Sequence, residues 1–582
     1  MMRLQGIAVS PGVAIGKAVV IGQDSFSIPH QYVEADAVEQ EIARFHQAVE
    51  TAAQAIERNR DLVSQQLGPK SGAIFQAHLE ILRDQKIHSD IEKLIREKQY
   101  SSEKACSEVL RRFADVFRRL PNPDFAERVY DIVDIERQLL RALLGEPHRA
   151  LQHLTSPAVI LARNLTPSEV ANLDRQMVKG FVTEMGGPTS HTAIVAQGIG
   201  IPAVVGTGPF LTEVSGGDTV IVDGDRGVVI IHPDAETLRE YDQEVRAIQA
   251  FTAELEKIRD LPAETLDGTR INIYGNIEFP SEARHCLEHG AEGIGLYRTE
   301  FLYLGRSDLP SEEDHYRAYC EVIEAMGDRP VTIRTFDLGA DKVANQFGFE
   351  KEPNPCLGLR SIRLALRHLE LFRTQARAIL RASVLGNIQV MFPMIATVAE
   401  LRQAKLVWAD VVEDLAENGI PFRQDVPIGM MVEVPSVAVT IDRFLDEVDF
   451  ISIGTNDLIQ YTLAVDRTNR NVVAMYNPTD PAVLRLISHT IQEANRKGVP
   501  ISLCGQMASH PLYTMLLIGL GLRKFSVTSS AILEVKKVCR SVTLEQCQSV
   551  AARALEMENA HNIQAFLREQ LVKVVPTLVR LM

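Results

Sequence analysis

The sequence predicts a multidomain α/β protein: a small α/β domain interrupted by a helical bundle, followed by a (β/α)8 barrel. Three observations carry that expectation. The chain has 582 residues, and single cores rarely grow past roughly 250–300 residues. Strand-like sequence near the N-terminus stops before Val33 and resumes only at Pro157, with a helical rhythm between. Beyond about Asp260, short apolar runs alternate with helix-length segments, the order of a closed parallel barrel.

Composition narrows the class. With 46% apolar and 24% charged residues the chain is an ordinary globular one. A net charge of −15 argues against a general nucleic-acid binder, which needs a basic face. The 7 cysteines lack paired spacing, which argues against a disulfide framework or a zinc site. Met1 to Ser10 lacks the apolar core of a signal peptide, and no apolar run approaches the ~20 residues of a membrane span. A cytoplasmic protein is expected.

Taken in order, Gly6 to Ile21 alternates apolar and turn residues and reads as short strands joined at Ser10-Pro11-Gly12. Apolar residues then recur at three and four in Glu39–Leu67, Ala73–Leu82, Ile87–Lys98 and Glu103–Leu120, with a last helix near Phe125–Leu144. Packing inside a bundle suffices to explain these faces. Strands are expected near Val159–Leu161, Gly180–Thr183, Ala203–Val205 and Val220–Val222, with turn signals at Asp223-Gly224-Asp225 and Asp225-Arg226-Gly227. Pro233–Ile258 is charged and helical and reads as a linker. The expected domains are 1–32 with 146–232, an insert at 33–145, a linker at 233–260 and a barrel at 261–582.

Eight candidate strands follow: Ile271–Tyr274, Gly293–Leu296, Val331–Thr335, Ile388–Phe392, Ile428–Val432, Phe450–Ile453, Ile501–Leu503 and Lys524–Val527. Barrel chemistry sits at the C-terminal ends of strands. Charged or reactive residues stand at the ends of the second (Arg298, Glu300), third (Arg334, Asp337), fifth (Glu433), sixth (Asn456, Asp457) and seventh (Cys504). Arginine suits carboxylate and phosphate through its planar bidentate fork. Arg298, Arg334, Arg360 and Arg467 are candidate anion ligands, although a single arginine reads equally as a surface ion pair. Glu433 and Asp457 could hold a hard cation, the latter also fitting an Asx turn. A lone thiol such as Cys504 is most often a small buried hydrophobe.

The stretch Thr183-Glu-Met-Gly-Gly-Pro-Thr-Ser-His191-Thr-Ala-Ile-Val-Ala-Gln197 joins a strand to a small-residue helix through a glycine-rich loop. Thr189 or Ser190 would cap the helix and leave His191 at its N-terminus, where unpaired N–H groups favour a phosphate. A polar residue in a capping turn reads the same from these residues alone.

Gly-Gly-Pro-Thr-Ser-His191-Thr-Ala-Ile with Ile-Pro-Ala-Val-Val-Gly206 resembles the phosphohistidine signature of the phosphoenolpyruvate-utilising enzymes. From Gly6 to the final helices the chain is similar to the enzyme I family of the sugar phosphotransferase system. The resemblance implies a swivelling phosphohistidine domain with an inserted helical bundle, then a TIM barrel that binds phosphoenolpyruvate (PEP). It implies that His191 accepts the phosphoryl group and that Arg298, Arg334, Arg360, Asn456, Asp457 and Arg467 bind PEP. Glu433 and Asp457 would hold Mg²⁺, and Cys504 would protonate the enolate to give pyruvate. The implied partners are a small phosphocarrier, HPr or a nitrogen-type homologue, docked on the bundle, and a second copy of the chain through the barrel.

Two places depart from the family pattern. Gln506 and Ser509-His510 follow Cys504 where Gly-Glu-Met-Ala-Gly-Asp is usual, and Ile81-Leu82-Arg83-Asp84-Gln85-Lys86 replaces an acidic run that faces HPr. PEP synthase and pyruvate phosphate dikinase are rivals, but they need a nucleotide-binding domain, and residues 33–145 hold no Gly-rich phosphate loop. A regulatory paralogue without catalysis is the other rival, against which all the residues named above stand.

Overall fold

A computed structural model describes residues 1–21, 32–67, 69–118, 124–144, 156–171, 173–174, 177–187, 193, 195–196, 200–303, 308–339, 352, 354–469 and 471–581. The chain forms two compact units, Met1–Ala247 and Ile248–Met582.

The first unit is built on an 8-stranded sheet of order β1-β8-β7-β3-β4-β5-β6-β2. Its strands are β1 (Met2–Gln5), β2 (Ile7–Ser10), β3 (Val13–Ile21), β4 (Ala158–Ala162), β5 (Val178–Thr183), β6 (Ala203–Val205), β7 (Thr219–Asp223) and β8 (Val228–Ile231). Every residue of β4 is buried, so its sequence is an unbroken apolar run rather than an alternating one. The alternation is there in space. Val159 and Leu161 face one core with Ala14, Val182, Val204, Val220 and Val222. Ile160 and Ala162 face another, shared with Phe181, Val205 and the apolar sides of the helices.

Those helices are α1 (Val38–Leu67), α2 (Pro69–Leu82), α3 (Gln85–Lys98), α4 (Ser102–Arg118) and α5 (Asp124–Leu144). Because their core runs on into the sheet, the bundle is cemented to the α/β fold rather than hung from it. Helix α3 starts two residues before the apolar pattern suggests. Asp84 sets the start, its carboxylate accepting from Lys86 N and Ile87 N at 2.7 and 3.1 Å. Strands β1 and β8 go beyond those expected. After the Asp223–Gly227 turn the chain returns as β8, with Asp223 opposite Val228, and β1 then pairs antiparallel to β8.

The helix Ala235–Lys257 spans the stretch read as a linker. It supplies Tyr241 to an apolar cluster of the first unit and Phe251 and Leu255 to the core of the second. No helix among the described residues is long and apolar enough to cross a membrane.

The second unit is a closed barrel of eight parallel strands, β9 (Asn272–Ile277), β10 (Ile294–Tyr297), β11 (Val331–Arg334), β12 (Ile388–Phe392), β13 (Ile428–Val432), β14 (Phe450–Ile453), β15 (Ile501–Leu503) and β16 (Lys524–Thr528). Closure is made by β16 pairing with β9, Phe525 opposite Ile273. Alternation again sorts the side chains. Ile451 and Ile453 of β14 join the large core under the helices. Phe450 instead packs in a small interior cluster with Leu296, Met391, Met431 and Cys504.

Candidate active site

In a parallel barrel the residues that follow each strand gather at one rim, so distant sequence segments become neighbours there. The rim here is an alternating chain of arginines and carboxylates. Arg334, the last residue of β11, donates from Nη2 to Glu300 Oε1 at 2.8 Å, and its Nη1 lies 3.5 Å from Asp337 Oδ2. Arg360 donates from Nη2 to both oxygens of Asp337 at 2.9 Å each. The same guanidinium reaches Asp457 Oδ1 at 3.3 Å and the Tyr461 hydroxyl at 3.0 Å. Arg467 Nη2 stands 3.8 Å from Asp457 Oδ2. Glu300 also accepts from Asp337 N at 2.7 Å, which locks the loop after β11.

Most of this chain is dry. Arg334 is 7% exposed, and its Nε has no hydrogen-bond partner among the described residues. A buried guanidinium N–H of this kind suits an anionic acceptor. Burial works against the Asp337 carboxylate, but Arg334 and Arg360 more than offset it and hold its pKa below the ordinary value.

Glu433 follows β13 and is 1% exposed. Burial, followed by the charges of Asp457 and Asp337, pushes its carboxyl up to about 8, despite Arg334 and the Met394 N–H that donates to it at 2.6 Å. Gly454 makes room for this side chain, since a Cβ there would come within 2.7 Å of Glu433 Oε2. The Asp457 charge raises Glu433, and a divalent ion between the two carboxylates would relieve that repulsion. Such a pair suits Mg²⁺, which takes one or two carboxylates and completes its shell from substrate and water.

Cys504 directly follows β15 and is 1% exposed. Its N–H donates to Ile453 O at 3.1 Å, and its Sγ lies 3.6 Å from the same oxygen. Burial pushes the thiol above its ordinary pKa, while Ser452 and Arg334 pull the other way. The group is a neutral S–H at neutral pH, as an acid must be. Gly505 is obligatory beside it, because a Cβ would fall 1.8 Å from Thr455 Oγ1.

Asn456 opens the helix Thr455–Leu463, and its Oδ1 accepts from Gln506 N at 3.0 Å. That bond ties the ends of β14 and β15 together. The Gln506 side chain is exposed. Ser509 Oγ accepts from Thr528 N at 3.0 Å, and His510 Nδ1 accepts from Leu512 N at 3.4 Å. Ser509 and His510, the remaining departures from the family pattern, thus do scaffolding work at the rim. Arg298 donates to Glu278 Oε1 at 3.0 Å, and its charge also reaches Cys504.

The structure thus joins Arg334, Arg360, Asp457 and Arg467 in one network, with Glu433 and Cys504 within electrostatic reach of Arg334. Glu300, Asp337 and Tyr461 belong to it too and were not picked out as site residues. Asp337 had a signal, three residues past Arg334. Tyr461 had one as well, lying four residues past Asp457 and so on the same helical face.

His191 lies outside the described residues, as do Thr189 and Ser190. Around them, β5 leads to Gly186, whose φ of +127° only glycine adopts readily. Ala193, Val195 and Ala196 beyond are helical and buried.

On the bundle, the run Ile81–Lys86 is the turn between α2 and α3. Arg83 pairs with Glu57 at 2.7 Å and Lys86 with Asp90 at 3.1 Å, so both cations are matched within the bundle.

Comparison with known proteins agrees with this architecture. Residues 252–544 match the family described as PEP-utilising enzyme, PEP-binding domain; residues 154–227 match its mobile domain and residues 5–128 its N-terminal one. A protein named phosphoenolpyruvate-protein phosphotransferase from Bacillus sp. (strain S) is 43% identical over 565 residues, 97% of each chain. Its namesake in Geobacillus stearothermophilus is equally similar, 43% over 97% of each chain. That of Bacillus subtilis (strain 168) is 40% identical over 98% of this chain and 100% of its own. With the barrel rim, the three matched segments and these relatives in agreement, the chain belongs to the PEP-utilising enzyme family, in the branch of the phosphoenolpyruvate-protein phosphotransferases.

Proposed function

We propose that this chain takes the phosphoryl group of PEP onto His191, releases pyruvate, and passes the group to a histidine of a small phosphocarrier of the HPr or nitrogen type. What supports the reading is the barrel rim, where Arg334, Arg360 and Arg467 pair with Asp337 and Asp457, and Glu433 and Cys504 lie within electrostatic reach of Arg334. PEP is a compact trianion, and its carboxylate and phosphate are the acceptors that buried guanidinium groups select.

Each residue has a distinct task. Arg334 and Arg360 bind the anion, exchanging part of their pairing with Glu300, Asp337 and Asp457 for substrate oxygens. Arg298 and Arg467, the more exposed arginines, close on it from the rim. Asn456 donates its amide N–H to substrate while Gln506 N holds its oxygen. Glu433 and Asp457 hold Mg²⁺, which when bound neutralises charge on the phosphate and on the departing enolate. Neutral His191 attacks phosphorus, the P–O bond to the enolate breaks, and Cys504 gives its proton to C3 of the enolate. Catalysis comes mainly from positioning and charge neutralisation.

The active form is a cytoplasmic homodimer joined through the barrel, and the bundle turn at Ile81–Lys86 meets the carrier. The test is incubation with PEP labelled in its phosphate, with an HPr-type and a nitrogen-type carrier in parallel and ATP as the control donor. Label on His191 and then on one carrier is expected. Labelling from ATP instead, or none from PEP with Mg²⁺ present, overturns the reading.

A further inference from the structure

Cys504 is sealed from solvent, 1% exposed, yet an acid that gives up its proton must regain it in every cycle. Pyruvate bound at the mouth of the barrel would stand between the thiol and water on that side. The interior offers another route. Ser452 on β14 and Cys504 after β15 belong to paired strands, and Ser452 acts on the thiol in the sense that favours the thiolate. Ser502 in turn donates to Ser452 Oγ at 2.9 Å.

Ser452 is itself 1% exposed, whereas Ser502 is half-buried and lines a cavity of about 350 Å³ at the other end of the barrel. Pro330, Pro427 and Pro500, which immediately precede β11, β13 and β15, mark that end. Thr332, Gln389 and Lys524 add polar groups to the lining, so the cavity is wide and polar enough to admit water. Barrel interiors are ordinarily filled by branched apolar side chains, and two stacked serines beneath the thiol are a departure from that.

We propose that Ser502 and Ser452 form a proton relay that returns a solvent proton to Cys504 from the N-terminal end of the barrel while product still occupies the C-terminal end. The thiolate takes the proton of Ser452, an S–H bond forming as that O–H breaks. Ser452 takes the proton of Ser502, and Ser502 takes one from water in the cavity, whose O–H breaks to leave a hydroxide that bulk solvent neutralises, so one solvent proton is consumed and both hydroxyls are restored. The two serines are positioning residues for proton return. The inference rests on Cys504 being the acid, as proposed above.

The test runs the reaction backwards within one turnover. The full chain, phosphorylated on His191, is mixed in ordinary water with methyl-trideuterated pyruvate and Mg²⁺ and quenched. Two products are compared: pyruvate in which hydrogen has replaced one deuterium, and PEP. An open relay lets S–D become S–H before the enolate is reprotonated, so wild type shows washout. Ser452→Ala and Ser502→Ala are expected to lower the washout-to-PEP ratio about tenfold, because the deuteron returns to the carbon it left. Ser452→Thr and Ser502→Thr, which keep a hydroxyl, restore it. The ratio counts only active molecules, so partial misfolding cannot mimic the effect. Unchanged ratios in both Ala variants, or no washout in wild type, overturn the relay. Washout by Cys504→Ala at the wild-type rate instead overturns the assignment of the acid.

Discussion

Arg360 holds Asp337 through both carboxylate oxygens at 2.9 Å each, and the same Asp337 lies 3.5 Å from Arg334. One carboxylate therefore holds both guanidinium groups in place at the rim. Removing one partner of a buried ion pair leaves an uncompensated charge and costs about 3–5 kcal/mol. Asp337→Ala should destabilise the barrel by that order, with PEP recovering part of the loss because it supplies the missing negative charge. Urea unfolding with and without PEP checks this; an unchanged midpoint without PEP would show that Asp337 is dispensable.

Metal binding should release a proton. Glu433 is pushed up to about 8, so it is largely protonated at pH 7 and must ionise to bind Mg²⁺. Apparent Mg²⁺ affinity should rise about tenfold per pH unit below 8 and level off above it. The sign for stability follows. A carboxyl raised in the folded state favours folding below its unfolded pKa, and this contribution fades as pH rises through about 8. Titration calorimetry in buffers of different ionisation heat would count the proton. Glu433→Gln should abolish both release and phosphorylation, as should Asp457→Ala for phosphorylation.

Cys504→Ala should still bind PEP but turn over poorly, since the anion site is intact and only the acid is lost. Binding by fluorescence and pyruvate release by a coupled assay separate the two effects. Pyruvate formation at the normal rate would assign the proton to another group.

His191→Ala should abolish labelling from PEP while leaving the barrel folded, because the residue belongs to the segment matched to the mobile domain and not to the barrel. Stoichiometric labelling of that variant would remove His191 from its role.

Carrier docking should be weakly salt-dependent. Arg83 and Lys86 are each matched by an acidic neighbour, leaving the α2–α3 turn near neutral. Exposed charges are screened over roughly 8 Å at physiological salt and act mainly on encounter rate. Arg83→Glu with Lys86→Glu should raise the rate toward a basic HPr and steepen its salt dependence. Quench-flow rates across a salt series decide; a steep wild-type loss and no change in the double variant would place docking elsewhere.

Periodicity was enough for most of the architecture. Strands β12 to β15 fall where the apolar runs place them, because a strand buried on both faces reads as a short unbroken apolar run. Charged or reactive residues after five of the eight strands marked the rim. What pattern could not supply was partnership. Asp337 and Asp457 both lie in quoted motifs, but that one guanidinium, Arg360, bridges them depends on β11 and β14 converging at one rim. The perturbed Glu433 needs Asp337 and Asp457 within reach, and Asp337, 96 positions before it, comes close only after the barrel closes. The pairing of Ser502 with Ser452 is likewise set by the register of β14 and β15. The sequence by itself determined which elements form, since that follows from local periodicity. Only the tertiary structure decided which side chains share a charge or a proton, because those energies depend on distance and burial.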